Sequence, residues 1–97
     1  MRLEFHPQIA ADILRIMDYY EDVGGRQLAD EFYIELRHYF LMAADSPKGF
    51  TVRERDLRRV NLDRFPYHFL FRIVDERVRI LVVRHHKRQP SLGFDRR

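Results

Sequence analysis

The chain has no cysteine, only two serines and no long apolar run, and each shortage excludes a class of protein. Without cysteine there is no disulfide scaffold, no thiolate zinc site and no cysteine nucleophile. The serines lie beside turn residues, which does not favour a serine triad. The longest uncharged apolar run covers residues 39–44, far short of the roughly 20 residues that span a bilayer. Because Glu4 also stands where a secretory signal would be apolar, we expect a cytoplasmic protein without a membrane segment.

The chain contains enough apolar residues for a core, and its acidic and basic residues are unevenly distributed between its two halves. Hydrophobic residues supply 45% of its 97 residues, so we expect one folded domain covering residues 1–97. Residues 1–48 carry five bases against nine acids, and residues 49–97 carry 13 bases against six acids. Sixteen of the 18 bases are arginine, which binds phosphate or carboxylate through two parallel hydrogen bonds. We expect the positive side chains of the second half to form one exposed surface for a polyanion or an acidic partner.

Apolar periodicity in the first half predicts a strand followed by a helical hairpin. Residues 2–5 alternate polar and apolar, as a half-buried strand does. From Gln8 to about Glu21, apolar residues recur at spacings of three and four, which indicates an amphipathic helix. Gly24-Gly25 ends that helix, and a second helix runs from about residue 26 to residue 44. The link between them is short enough to make the two helices antiparallel.

The second half predicts a sheet. Residues 57–62 form a predicted strand, and residues 67–74 and 77–85 are two stronger ones, rich in β-branched and aromatic residues. The fold class we expect is α+β: an N-terminal strand, an α-helical hairpin and then a mainly antiparallel C-terminal sheet.

The register of the last two strands follows if they close symmetrically about Asp75-Glu76. The apolar face would then pair Ile73 with Val78, Phe71 with Ile80, and Phe69 with Val82. The opposite face would pair His68 with Val83, Leu70 with Leu81, and Arg72 with Arg79, with His85 beyond. Like charges directly opposed on a sheet are unfavourable. Arg72 and Arg79 are therefore flanked by acids from elsewhere, splayed into solvent, or available for an anion.

The segment from Arg84 to Arg88 is the densest group of proton-transfer and anion-binding side chains. In an extended strand His85 and His86 point to opposite faces, so they are poorly placed to share a metal ion. We predict no metal and no small-molecule cofactor. One of the two histidines is a candidate general acid or base near neutral pH.

Three stretches, in this order, carry a family resemblance. The first is Phe5-His6-Pro7, leading to Asp12-Ile13 and Tyr19-Tyr20. The second is Phe65-Pro66-Tyr67-His68-Phe69-Leu70-Phe71. The third is Ile80-Leu81-Val82-Val83-Arg84-His85, followed by Lys87-Arg88-Gln89-Pro90. Together they resemble the RelE/ParE toxin superfamily of bacterial type II toxin–antitoxin systems, and in particular its ParE-like plasmid-stabilisation branch. The resemblance implies a cognate antitoxin as a partner.

The resemblance implies two different targets. ParE-like members inhibit DNA gyrase, whereas RelE-like members cut mRNA on the ribosome without a metal. If the chain were such an endoribonuclease, its catalytic residues would be His68, His85 and Arg88. Arg88 falls where those enzymes keep a phosphate-contacting arginine, and His68 falls where several keep another. Phe94 falls near a position where a tyrosine often helps to transfer the proton, and phenylalanine has no hydroxyl.

Our first hypothesis is a ParE-like toxin that binds an essential target such as gyrase. The second is the ribosome-dependent mRNA endoribonuclease, and the third is a degenerate, non-toxic member that binds an antitoxin. The candidate residues for contact with the target or with nucleic acid are all basic: Arg58, Arg59, Arg72, Arg79, Arg84, His86, Lys87, Arg96 and Arg97.

Overall fold

The structure is a computed structural model that describes residues 1–87, 93 and 95–97. Its elements are β1 (Arg2–Phe5), α1 (Ile9–Asp45), a 3-10 turn (Pro47–Gly49), β2 (Val52–Glu54), β3 (Leu57–Asn61), β4 (Tyr67–Val74) and β5 (Arg77–His85). The five strands form one sheet in the order β1-β5-β4-β3-β2. β1 runs parallel to β5, and the other neighbours are antiparallel. The predicted α+β class is confirmed, while strand β2 was not predicted.

Helix α1 is folded back on itself at Gly25. That residue has φ 83° and ψ 173°, a conformation outside the helical region that glycine adopts easily. Residues 20 and 32 of a straight helix would lie about 18 Å apart. Here the ring centroids of Tyr20 and Phe32 are 5.5 Å apart, and both rings pack on Phe65. Two arms, residues 9–24 and 26–45, therefore form the predicted helical hairpin.

The core lies between the hairpin and one face of the sheet. Phe32, Leu36 and Phe40 of α1 are buried there against Phe69 and Ile80. The rings of Phe40 and Phe69 have centroids 4.8 Å apart. Full burial of each such side chain contributes about 1.5–3 kcal/mol. We call the opposite side of the sheet, which α1 does not cover, the far face.

The β4–β5 hairpin follows the predicted register only near its turn. The pairs Ile73–Val78, Phe71–Ile80 and Arg72–Arg79 are present as predicted. Beyond them the register shifts, because Leu81 has no partner on β4 and forms a β-bulge. The pairs found are Phe69–Val83, Leu70–Val82 and His68–Arg84. The predicted pairs Phe69–Val82, Leu70–Leu81 and His68–Val83 are therefore wrong.

The bulge also exchanges the faces of the side chains that follow it. Because side chains alternate along a strand, one extra residue moves each later side chain to the other side. Arg84 thus lies on the far face, directly across from His68. The predicted position of His85 on the far face is wrong: its ring lies on the helix side, 5.1 Å from that of Tyr67.

The turn between β4 and β5 gives a prediction about stability. Asp75 and Glu76 have φ 50° and 62°, the pattern of a type I′ turn, which favours glycine at its second position. The Glu76→Gly variant should raise the free energy of unfolding by about 0.5–1 kcal/mol, since it relieves a left-handed non-glycine residue. Glu21→Gly, at an exposed position in α1, is the control and should lower it by about 1 kcal/mol. Urea denaturation measures both, and a loss of stability in Glu76→Gly would contradict this turn geometry.

Candidate functional site

The far face carries a group of side chains that we call the histidine–arginine cluster: Glu54, Arg59, His68, Arg84 and His86. Arg84 Nε donates to His68 Nε2 at 2.8 Å. His68 Nδ1 and His86 Nδ1 are 2.9 Å apart, and Arg59 Nη2 is 3.3 Å from the same His86 nitrogen. Strands β2, β3, β4 and β5 each supply one member, and His86 follows the end of β5.

The hydrogen bonds fix the protonation of both imidazoles. A guanidinium only donates, so His68 Nε2 accepts and its proton lies on Nδ1. That Nδ1–H donates to His86 Nδ1, which also accepts from Arg59. His86 therefore carries its proton on Nε2. Both ring nitrogens of His68 are occupied within the cluster, and neither is open to a ligand.

Burial and positive neighbours keep the cluster histidines neutral. Only 1% of the surface of His68 is exposed. Burial, followed by the charges of Arg59 and Arg84, lowers its pKa to about 3. The pKa of His86 is lowered as well, by burial first and then by Arg59. Burial and the charge of Arg84 also lower the pKa of the Arg59 guanidinium.

The buried charge of Arg84 is compensated from β2. Its Nη2 donates to both carboxylate oxygens of Glu54, at 3.1 and 2.9 Å. An unpaired guanidinium at this depth would be costly, so removing Glu54 would destabilise the sheet. In this arrangement Arg84 is buried and its charge is paired with Glu54.

Other predicted contact residues are paired with acids in the same way. Arg72 Nη2 lies 3.2 Å from Asp56. Arg79 pairs with Glu4, which also binds Arg77 at 2.7 Å. Of the alternatives predicted for Arg72 and Arg79, flanking acids are the one found. The expectation of a single exposed positive surface is therefore wrong, because the chain's own carboxylates neutralise many of these arginines.

The remaining predicted residues are distributed over the molecule. Arg58 donates to the Phe50 carbonyl at 2.6 Å. Lys87 is exposed after β5, and Arg97 is exposed while its backbone carbonyl accepts from Arg79. Arg88 and Phe94 lie outside the described residues.

Asp12 is a key residue that the sequence interpretation missed. It is 1% exposed and lies on the inner side of α1. Its Oδ2 accepts from the backbone N–H of Val83 at 3.1 Å and from Arg96 Nη1 at 2.6 Å. Its Oδ1 accepts from Arg96 Nη2 and from Arg15. The signal was an acid within the apolar stripe, three residues after Ile9. For Glu4 and Glu54 no comparable signal exists.

The described residues contain no group of three or more histidine, cysteine, aspartate or glutamate side chains that would hold a metal ion. Within the same residues, α1 is too polar for a membrane-crossing helix, and no other helix is long enough.

Comparison with solved structures identifies the fold. The chromosomal ParDE toxin–antitoxin system from P. aeruginosa matches with a TM-score of 0.79 and 20% identity, covering 88% of this chain and 95% of that chain. The intact E. coli RelBE toxin–antitoxin complex matches with a TM-score of 0.64 and 16% identity, covering 90% and 98%. The fold is therefore that of the RelE/ParE toxins, as the resemblance predicted.

The sequence comparisons identify the family to which the chain belongs within this fold. Toxin ParE2 of Mycobacterium tuberculosis is 26% identical over 90 residues, which is 93% of this chain and 86% of that protein. The profile of the family described as "ParE toxin of type II toxin-antitoxin system, parDE" matches residues 3–90. Since that match covers most of the sequence, the chain belongs to the ParE toxin family of type II toxin–antitoxin systems.

The neutral state of His68 predicts how stability depends on pH. Below pH 6.5 the unfolded chain takes up a proton on His68, whereas the folded chain does so only near pH 3. The stabilising contribution is thus complete above pH 6.5 and is lost as the pH falls toward 3. Between pH 7 and pH 5 the loss is at most about 2 kcal/mol. Urea denaturation at both pH values should show that loss reduced in His68→Gln and kept in His38→Gln, a control at an exposed position of α1.

The ring ¹⁵N chemical shifts give an independent reading of the same arrangement. At pH 7 we expect the proton on Nδ1 of His68 and on Nε2 of His86. A protonated His68 at pH 5.5, or the opposite pair of tautomers, would contradict the hydrogen-bond chain.

Proposed function

We propose that this protein inhibits growth by binding DNA gyrase and that a cognate antitoxin neutralises it. Membership of the ParE family supports this proposal, because the ParE-like resemblance implies gyrase as the target. The observation that carries the choice over RNA cleavage is the enclosed state of His68, which is buried, neutral and hydrogen-bonded through both ring nitrogens.

Metal-free cleavage of RNA needs a group that takes the proton of the 2′-hydroxyl near the working pH. His68, with its pKa lowered to about 3, is a poor base at neutral pH. His86 Nδ1 already accepts two hydrogen bonds, and His85 lies on the other side of the sheet from His68. These histidines therefore do not converge on a position for a scissile phosphate.

The contact with gyrase is assigned to the exposed cations near the end of β5. The predicted contact residues of this region are Arg84, His86, Lys87, Arg96 and Arg97. Within it, Arg84 and Arg96 are held by Glu54 and Asp12. Lys87 and Arg97 are the exposed cations of that region among the described residues.

The Lys87→Glu variant tests this assignment. Reversing a charge at an interface replaces attraction with repulsion, so inhibition of gyrase-catalysed supercoiling should weaken by about tenfold or more. Lys48→Glu makes the same change of net charge at an exposed site in the 3-10 turn and should inhibit as the parent protein does. Equal inhibition by both variants would contradict the assigned contact.

Two further measurements test the proposed target itself. If gyrase is the target, the purified protein inhibits supercoiling, and primer extension on cellular mRNA after induction shows no codon-linked cuts. Codon-linked cuts without any effect on gyrase would favour the endoribonuclease. No growth arrest at all would favour the non-toxic member.

For the antitoxin, we assign the groove between the two arms of α1 and β1. This groove encloses about 630 Å³ and is lined mainly by apolar side chains, among them the exposed residues Phe5, Tyr33 and Leu41. Among the described residues that line it, Arg37 is the one strong base. An amphipathic segment that carries an acid would bury those apolar groups and pair with Arg37.

The Leu41→Glu variant tests the groove, since it places a charge on its apolar lining at a residue that is 51% exposed. The variant should still arrest growth, and co-expression of the cognate antitoxin should no longer rescue the cells. Ile34→Glu, at a 66% exposed position of α1 outside the groove lining, should be rescued. Rescue of both variants would refute the groove as the antitoxin site.

A further inference from the structure

A second concavity, distinct from the antitoxin groove, lies between the first arm of α1 and the ends of β4 and β5, and Arg84 of the histidine–arginine cluster is among the residues that line it. This cleft encloses about 730 Å³. Four rings follow one another along it: Tyr19, Tyr20, Tyr67 and His85. Successive ring centroids are 5.3, 6.1 and 5.1 Å apart. Successive rings meet edge to face, at interplanar angles of 67°, 69° and 83°, so a planar ligand would stack on one ring face, such as that of Tyr19, which is 55% exposed. The cleft volume lies within the range of about 300–1,000 Å³ that drug-sized ligands occupy.

An exposed cation lies at the edge of the cleft. Arg15, whose side chain is 63% exposed, lines it and donates one Nη2 hydrogen bond to Asp12 at 3.0 Å. The same carboxylate accepts from both terminal nitrogens of Arg96. Asp12 is thus shared between two guanidiniums, and Arg15 holds it through Nη2 on a side chain that is 63% exposed, so its other N–H groups are available to bind an anion.

Two rings of the wall, those of His85 and Tyr20, also carry hydrogen-bond donors. His85 Nδ1 accepts the backbone N–H of Lys87 at 3.0 Å, so the neutral ring carries its proton on Nε2. Burial, with Tyr67 and Tyr19 nearby, raises the pKa of Tyr20 to about 12. Its hydroxyl is therefore a neutral donor at physiological pH.

We propose that this cleft binds a nucleotide, with the base against the tyrosine rings and the phosphate on Arg15. A nucleotide combines the two features that the cleft recognises: a planar π surface that stacks on aromatic side chains, and an anion that arginine binds through two hydrogen bonds. A free nucleotide and a base of a single strand share this chemistry. The site does not depend on the target proposed above.

Titration of the ¹⁵N-labelled protein with AMP tests the proposal by NMR. Saturable shifts are expected at Tyr19, Tyr67 and His85, and both adenosine and ribose 5-phosphate should bind at least about tenfold more weakly than AMP, because each lacks one half of the recognition. Tyr19→Ala and Arg15→Gln should each weaken AMP about tenfold. Tyr33→Ala and Arg37→Gln, matched controls in the antitoxin groove, should bind AMP as the parent protein does.

A single-stranded tetranucleotide distinguishes the two sources. Binding tighter than AMP, with the same dependence on Tyr19 and Arg15, assigns the cleft to a single strand; binding no tighter than AMP assigns it to a free nucleotide. The proposal is overturned if neither probe gives saturable shifts in the cleft, if adenosine or ribose 5-phosphate binds as tightly as AMP, or if Tyr19→Ala and Arg15→Gln bind both probes like the controls.

Discussion

Leu81 has no partner on β4, and this one unpaired residue decides which side chains of β5 share a face. Two backbone groups at and just after the bulge are bound by side chains. Arg96 Nη1 donates to the Leu81 carbonyl at 3.1 Å, and Asp12 accepts the N–H of Val83 at 3.1 Å. A buried backbone group without a partner would cost about 1–3 kcal/mol, so these contacts stabilise the bulge. Through them Asp12 connects α1, β5 and the C-terminal residues.

The acidic first half and the basic second half of the sequence form ion pairs with each other within the fold. Glu4 lies in the acidic first half of the chain and binds Arg77 and Arg79 in the basic second half. Asp12 binds Arg96 across a similar separation. A sheet that brings β1 beside β5 needs such pairs, because it would otherwise place arginines side by side. Net charge therefore overstates the positive surface that remains for a target.

Much of the fold follows from local patterns. The apolar stripe of α1, the break at Gly24-Gly25 and the two long strands all depend on neighbours within a few residues. The bulge and the parallel pairing of β1 with β5 do not, since both are set by contacts between distant segments. The register could be predicted as far as Phe71–Ile80 and no further, and the candidate site changed accordingly: Arg84 and His86 lie where His85 was expected. Asp12 was detectable as an acid on an apolar face, whereas Glu54 gave no signal because β2 itself was not predicted.

The neutral imidazole of His68 fits a buried position between arginines. A third guanidinium beside Arg59 and Arg84 would face Glu54 as the one acid of the cluster, and like charges at this depth repel strongly. A neutral imidazole avoids that repulsion because it accepts from Arg84 on one side and donates to His86 on the other. The same bonds remove its availability as a base. The neutral imidazole that stabilises the arginine network is thus also a poor base at neutral pH.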